Sequence, residues 1–180
     1  GDVCFLLCDV QERFRSVIHN FEAMQHGCSI MVRAAPLVGA PVIVTEQYPK
    51  VFGSTTAELL PHLEGVERHP KTLFSMVTPD VDDELQRRNR KQVVLFGIEA
   101  HVCVLQTALD LLDRGYSVWV VVDAVSSSRP TERSVALTRL DRAGVHLTTY
   151  ESALFELMGD SKAENFKAVS SLIKETRPDP

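Results

Sequence analysis

The sequence predicts an α/β fold with three layers, α/β/α, built on a doubly wound, six-stranded parallel sheet. Three observations predict it. Apolar runs of strand length alternate along the chain with stretches whose apolar residues recur at helical spacing. Glycine and proline mark the boundaries between them. At 180 residues the chain fits one domain, residues 1–180, long enough to bury a sizeable core.

Val3 to Cys8 is an unbroken apolar run closed by Asp9, the pattern of a strand covered by helices on both faces. Helical spacing follows from about Phe21 to Val38, and Pro36, Gly39 and Pro41 stop it. Pro41 to Thr45 reads as the second strand. A loop through Glu46, Gln47, Tyr48, Pro49 and Gly53 comes next, and Ser54 or Thr55 caps a short helix ending at Leu60. Val66 to His69 is the third strand, with Lys71 in the loop after it. Pro79, Asp82 and Asp83 open a helix that ends at Arg87, Arg88, Arg90 and Lys91, where cations complement the helix dipole. Val93 to Ile98 is the fourth strand. Val104, Leu105, Ala108, Leu111 and Leu112 give Val102 to Arg114 an apolar helical face, stopped by Gly115. Val118 to Val122 is the fifth strand, ended by Asp123 as a hydrogen-bonding anchor. Ser126, Ser127 and Ser128 form a loop, Thr131 caps a helix to Ala143, and Gly144 leads into a sixth strand, Val145 to Thr149. Helices near Ser152 to Met158 and Lys162 to Glu175 complete the domain.

Composition narrows the function classes. Hydrophobic residues are 44% and charged residues 24%, ordinary globular values, and no apolar run is long enough to suggest a membrane span. The net charge of -5 argues against nucleic acid as a partner, because phosphate binding draws on clustered Lys and Arg. The one basic stretch, Arg87 to Lys91, reads as a solvated helix end. Cys4, Cys8, Cys28 and Cys103 show no CxxC spacing, and three lie in apolar segments, which suits a reducing compartment. An intracellular, cytoplasmic protein is expected; because the chain begins at Gly1, a mitochondrial location stays open.

In doubly wound sheets ligands bind beyond the carboxyl ends of the strands, so reactive side chains are sought there. Asp9 follows the first strand, Lys71 the third, and Cys103 begins the helix after the fourth. A thiol in the first turn of a helix gains from the positive end of the helix dipole, and a nearby ammonium stabilises its anion further. A carboxylate beside it can take the proton and return it to a leaving group. Taken singly, Asp9 also fits a loop cap, Lys71 a solvated cation and Cys103 helix packing, and spacing alone does not choose. Gln11, Phe14, Gln47, Tyr48 and Phe74 are candidates to line a small-molecule pocket, or else ordinary loop packing. The six histidines lack metal-ligand spacing; His62 and His69 read as loop residues, and His101 as a loop or supporting residue rather than a neighbouring base. No GxGxxG, GxxxxGK[ST] or GxSxG motif appears, which removes the sequence support for dinucleotide, nucleoside-triphosphate and serine-hydrolase chemistry.

Three segments, Asp9-Val-Gln11-Glu-Arg-Phe14, Lys71-Thr-Leu-Phe74-Ser75 and Gly97-Ile98-Glu99-Ala-His101-Val-Cys103-Val, give the chain a resemblance to the isochorismatase-like cysteine hydrolases over nearly its whole length. Thr45-Glu46-Gln47-Tyr48-Pro49 and Leu109-Asp110-Leu-Leu-Asp113-Arg114-Gly115 look closest to the isochorismatase domain-containing group. The resemblance implies strand order 3-2-1-4-5-6 and a catalytic triad of Asp9 as general base, Lys71 as electrostatic partner and Cys103 as nucleophile. It implies a cis peptide between Ile98 and Glu99, with the backbone amides of Glu99 and Cys103 forming an oxyanion hole. Nicotinamidases, which look similar, usually carry Asp-x-His after the second strand to help bind a metal; Gln47-Tyr48-Pro49 departs from that pattern, so no metal and no cofactor are expected. True isochorismatases cleave a vinyl ether without a cysteine nucleophile, so Cys103 tilts the expectation towards hydrolysis of a small amide or related C–N bond through a thioester. The alternative is a catalytically weak member that binds a ligand or protein. By analogy with the family, a homo-oligomer, dimer or larger, is expected, with a small molecule as substrate.

Overall fold

The computed structural model describes residues 2–178. Six parallel strands, β1 (Val3–Cys8), β2 (Val42–Gln47), β3 (Arg68–Lys71), β4 (Gln92–Ile98), β5 (Ser117–Ser126) and β6 (His146–Thr148), form one sheet in the order β3-β2-β1-β4-β5-β6. All six residues of β1 are buried, as expected for a central strand between helical layers. The helices are α1 (Phe21–Ala34), α2 (Pro49–Phe52), α3 (Pro79–Arg88), α4 (Leu105–Asp113), α5 (Pro130–Arg142), α6 (Tyr150–Met158) and α7 (Phe166–Ile173). From β1 the chain builds outwards to β2 and β3, then returns to place β4 on the other side of β1. The crevice between the carboxyl ends of β1 and β4 is therefore the point where strand order reverses.

Gly97 explains how closely these two strands approach. It pairs with Cys8 at φ 119°, and a Cβ on it would lie 2.2 Å from the Cys8 carbonyl oxygen. Only a residue without a side chain fits there. Gly27 plays a similar part on α1, where a Cβ would come within 2.7 Å of the Asp123 carbonyl oxygen on β5.

Several element boundaries differ from the sequence reading, each for a physical reason. β3 covers Arg68–Lys71 instead of Val66 to His69, because its register is set by β2, with Val44 opposite Arg68 and Gln47 opposite Lys71. β3 is an edge strand, so Pro70 is tolerated within it. The same pairing carries β2 two residues past Thr45, so Lys71 ends a strand rather than lying in a loop. The short helix expected from Ser54 or Thr55 is instead α2, opened by Pro49, with a separate 3-10 turn at Leu60–His62. Thr55 is occupied otherwise: its amide and hydroxyl both donate to Glu46 Oε1, each at 2.8 Å. α1 stops at Ala34; Ala35 still has helical dihedrals and donates to Met31 O, and Pro36, which has no N–H to give, follows it. α5 begins with Pro130 in its first turn and Arg129 at the N-cap, in place of a Thr131 cap.

β5 runs four residues beyond Val122, and its pairing with β4 shifts between Val120 and Val125 through a bulge. Asp123 therefore lies inside the strand rather than at its end. It still acts as an anchor, accepting a hydrogen bond from the Tyr150 amide at 2.9 Å and facing Arg177 at 3.5 Å. Arg133 donates to the carbonyl oxygens of Val122 and Val125 at this bulge. Among the described residues, no helix is long and apolar enough to cross a membrane.

Candidate active site

Asp9 sits just past the end of β1 with φ 51°, a left-handed conformation that aspartate tolerates better than most residues. Its carboxylate is buried and fully engaged. Oδ1 accepts from Thr45 Oγ1 at 2.8 Å, Oδ2 accepts from Lys71 Nζ at 2.7 Å, and the Cys8 thiol points at Oδ2 from 3.6 Å.

The ammonium of Lys71 has no exposed surface on its side chain. Besides Asp9, it donates to Gln47 Oε1 at 2.5 Å, Phe74 O at 2.9 Å and Leu73 O at 3.1 Å. A buried ammonium persists when it is paired and hydrogen-bonded in this way. Burial by itself would lower its pKa; the acidic groups around it, Cys8, Asp9 and Cys103, outweigh that effect and raise it. Gln47 fixes the arrangement from the other side, since its Nε2 donates to Thr72 O at 3.0 Å.

Cys103 was expected in the first turn of an α-helix. It lies instead in a π-helical turn, Ala100–Val104, that precedes α4, with the Val104 amide bonded to Glu99 O. Thr107, one turn on, ties this segment down: its hydroxyl donates to Cys103 O at 2.6 Å and accepts from the Met76 amide at 2.8 Å. The Ile98–Glu99 peptide is cis. Glu99 accepts from the Ser128 amide at 2.7 Å, and His101 Nδ1 contacts Ser127 Oγ at 3.0 Å, so both brace the loop after β5.

Asp9 and Cys103 line one cleft of about 160 Å³ at the carboxyl ends of β1 and β4. Gln47 and Glu99 supply its other polar groups, and Phe14, Phe74 and Val102 much of its apolar wall. Lys71 lies beneath, joined to the cleft through Asp9 and Gln47. Of the pocket candidates, Phe14, Gln47 and Phe74 therefore reach the cleft, whereas Gln11 and Tyr48 do not. Gln11 is buried and spends its amide on backbone, donating to Gln47 O and Gly53 O and accepting from the Gln47 amide. Tyr48 turns outwards with φ 34° and an exposed ring, although its amide donates to Lys71 O. Phe52, Ile98 and Val102 also line the cleft and were not among the pocket candidates read from sequence. Phe52 is stacked on Phe14 at 4.8 Å between ring centroids, a contact across 38 positions that no local pattern announces. His69 is not a loop residue: it lies in β3, buried, with Nε2 2.7 Å from Glu84 Oε2.

Among the described residues, no group of three or more His, Cys, Asp or Glu side chains converges in a way that could hold a metal ion. A larger cavity, about 240 Å³, lies between α1 and the β5 bulge and shares no lining residue with the cleft.

The comparisons with known proteins agree with this architecture. The model of the isochorismatase domain matches residues 3–152. The secreted isochorismatase effector Isc1 of Phytophthora sojae is 48% identical over 174 residues, covering 94% of this chain and 83% of its own. Isochorismatase domain-containing protein 2 of Xenopus laevis is 45% identical over 174 residues, covering 96% and 84%. The solved structure of the MAR1 ribonuclease from Caenorhabditis elegans superimposes with a TM-score of 0.92 at 43% identity, covering 98% of this chain and 92% of that one. With its sheet order, its cleft at the strand reversal and these likenesses, the chain belongs to the isochorismatase family of hydrolase folds.

Proposed function

We propose that the protein hydrolyses a small amide or related C–N bond through a thioester on Cys103. The observation that carries this reading is the meeting of Cys103 and Asp9 in one cleft, with the sealed Lys71 ammonium 2.7 Å from the Asp9 carboxylate. In the first half-reaction Asp9 takes the Cys103 proton, the sulfur attacks the substrate carbonyl, and the C–N bond breaks as Asp9 returns the proton to the departing amine. In the second, Asp9 takes a proton from water, the oxygen attacks the thioester, and the acid leaves with the thiol restored. Lys71 remains protonated throughout and keeps Asp9 oriented. The backbone amides of Glu99 and Cys103 are assigned to the oxyanion that forms in both halves.

The test is a screen of small amides and ureas with wild type, Cys103→Ala and Asp9→Asn. Turnover by wild type together with an acyl adduct on Cys103, trapped by mass spectrometry, is the expected result. Full activity in Cys103→Ala would overturn the proposal.

The name of the worm relative raises ribonuclease activity as a second reading. The cleft speaks against it here: its lining holds the carboxylates of Asp9 and Glu99 and no Lys or Arg side chain. An RNA backbone would meet negative charge without an exposed cation to displace its counterions. Cleavage of RNA by wild type that is lost in Asp9→Asn would favour this reading over the amidase.

A further inference from the structure

The polar side chains of the cleft differ in what their hydrogen bonds leave open. Asp9 is engaged on both oxygens, Oδ1 by Thr45 Oγ1 and Oδ2 by Lys71 Nζ, and the ammonium 2.7 Å away balances its charge. Gln47 is engaged at both ends: Oε1 accepts from Lys71 Nζ and Nε2 donates to Thr72 O. Glu99 is different. Its Oε2 accepts from the Ser128 amide at 2.7 Å, whereas Oε1 has no donor among the described residues. The one basic nitrogen paired with this carboxylate among those residues is His101 Nδ1. It stands 3.9 Å from Oε2, beyond hydrogen-bonding distance, and contacts Ser127 Oγ at 3.0 Å instead. The Glu99 side chain is 25% exposed and borders the cleft, so a molecule held there can reach it. The cleft therefore carries a negative charge that no Lys or Arg of its lining balances. Its walls suit a cation as well: Phe14, Phe52 and Phe74 line it, and the faces of aromatic rings attract positive charge. An anion would meet like charge and no counterion.

We propose that the Glu99 side chain is a specificity determinant that receives a positively charged N–H group of the substrate, so that the molecule cleaved is a small cation. The proposal rests on the reading of the cleft as an amide-hydrolysing site and names the class of substrate it takes: an amide or related C–N compound bearing an ammonium, amidinium or guanidinium group. At about 160 Å³ the cleft is smaller than the roughly 300–1,000 Å³ usual for drug-sized ligands, which limits the substrate to fragment size. The Ser128 amide holds one oxygen of the carboxylate in place, and the other makes a charge-assisted hydrogen bond to the substrate. This role is separate from the one assigned to the Glu99 backbone amide, because it uses the side chain alone.

Benzamidinium, benzamide and benzoate share one shape and differ in charge, so their binding to the full chain isolates the effect of charge. Titrations followed by nitrogen–proton correlation NMR at the backbone amides of Val102 and Cys103 place each probe in the cleft. Wild type is expected to bind benzamidinium at least about tenfold more tightly than benzamide, the scale of a hydrogen bond to a charged group, and benzoate most weakly. Glu99→Gln, whose amide oxygen can still accept from Ser128, is expected to bring the three affinities together. Equal affinities in wild type, tightest binding of benzoate, or no response to benzamidinium at millimolar concentration would overturn the proposal. An unchanged order in Glu99→Gln would overturn it too. These readouts need no turnover. A preference for the cation in a protein that hydrolyses no amide would sink the hydrolase reading and leave this recognition standing, whereas amide hydrolysis without that preference would sink this proposal alone.

Discussion

At the scale of single residues, the Asp9–Lys71 pair carries the sharpest consequences. Asp9→Asn keeps the shape but removes the proton acceptor, so kcat is expected to drop roughly 100- to 10,000-fold, the usual worth of a general base; steady-state kinetics on a substrate found by the screen measures it. Lys71→Met leaves the Asp9 carboxylate buried without its cation, and such breaks cost about 3–5 kcal/mol. Urea denaturation checks the loss. The raised Lys71 pKa gives this contribution a definite pH window. It is fully present below the unfolded-state value of about 10.4 and is lost as pH rises through the higher folded-state value. Wild-type stability is therefore expected to fall in the alkaline range more steeply than that of Lys71→Met. Asp9, Lys71 and Cys103 were legible in sequence through their motifs, as were Phe14, Gln47 and Phe74 as neighbours of the cleft. Gln11 was misplaced because a side-chain amide that bonds backbone looks, in sequence, the same as one that faces a ligand.

At the scale of elements, Gly97 joins β1 and β4 where the cleft opens. Gly97→Ala puts a methyl into the Cys8 carbonyl at an unfavourable φ, and a loss of at least about 2 kcal/mol is expected, with lowered activity. Melting curves report the first and steady-state kinetics the second. A milder case is Thr78, whose side chain accepts from the Val81 amide at 3.4 Å to cap α3. Thr78→Ala is expected to cost up to about 1 kcal/mol with no effect on the cleft. Strands β1 and β4 were readable because double-sided burial makes them continuously apolar. β3 was misread because an edge strand of Arg, His, Pro and Lys lacks that signature and takes its register from β2. The π-helical turn at Cys103 and the β5 bulge escaped for a related reason: each inserts residues that break the local period, and only neighbouring elements determine where.

At the scale of the whole molecule, the remaining proposal is self-association. Val17, Tyr48, Val51, Leu73 and Phe74 are large, apolar and exposed, and Phe74 borders the cleft. We expect a homo-oligomer, and light scattering coupled to size exclusion at micromolar concentration checks it; a monomer would remove the expectation. The sequence by itself determined the alternation of strands and helices, the buried central strands and the chain positions of three reactive side chains, because periodicity and burial are written locally. Tertiary structure alone decided that Lys71 is sealed against Asp9 and Gln47, that Phe52 stacks on Phe14, and that Asp9 and Cys103 line one cleft. Those relations arise where segments distant in sequence pack against one another, and a contact of that kind depends on the register of every strand between them.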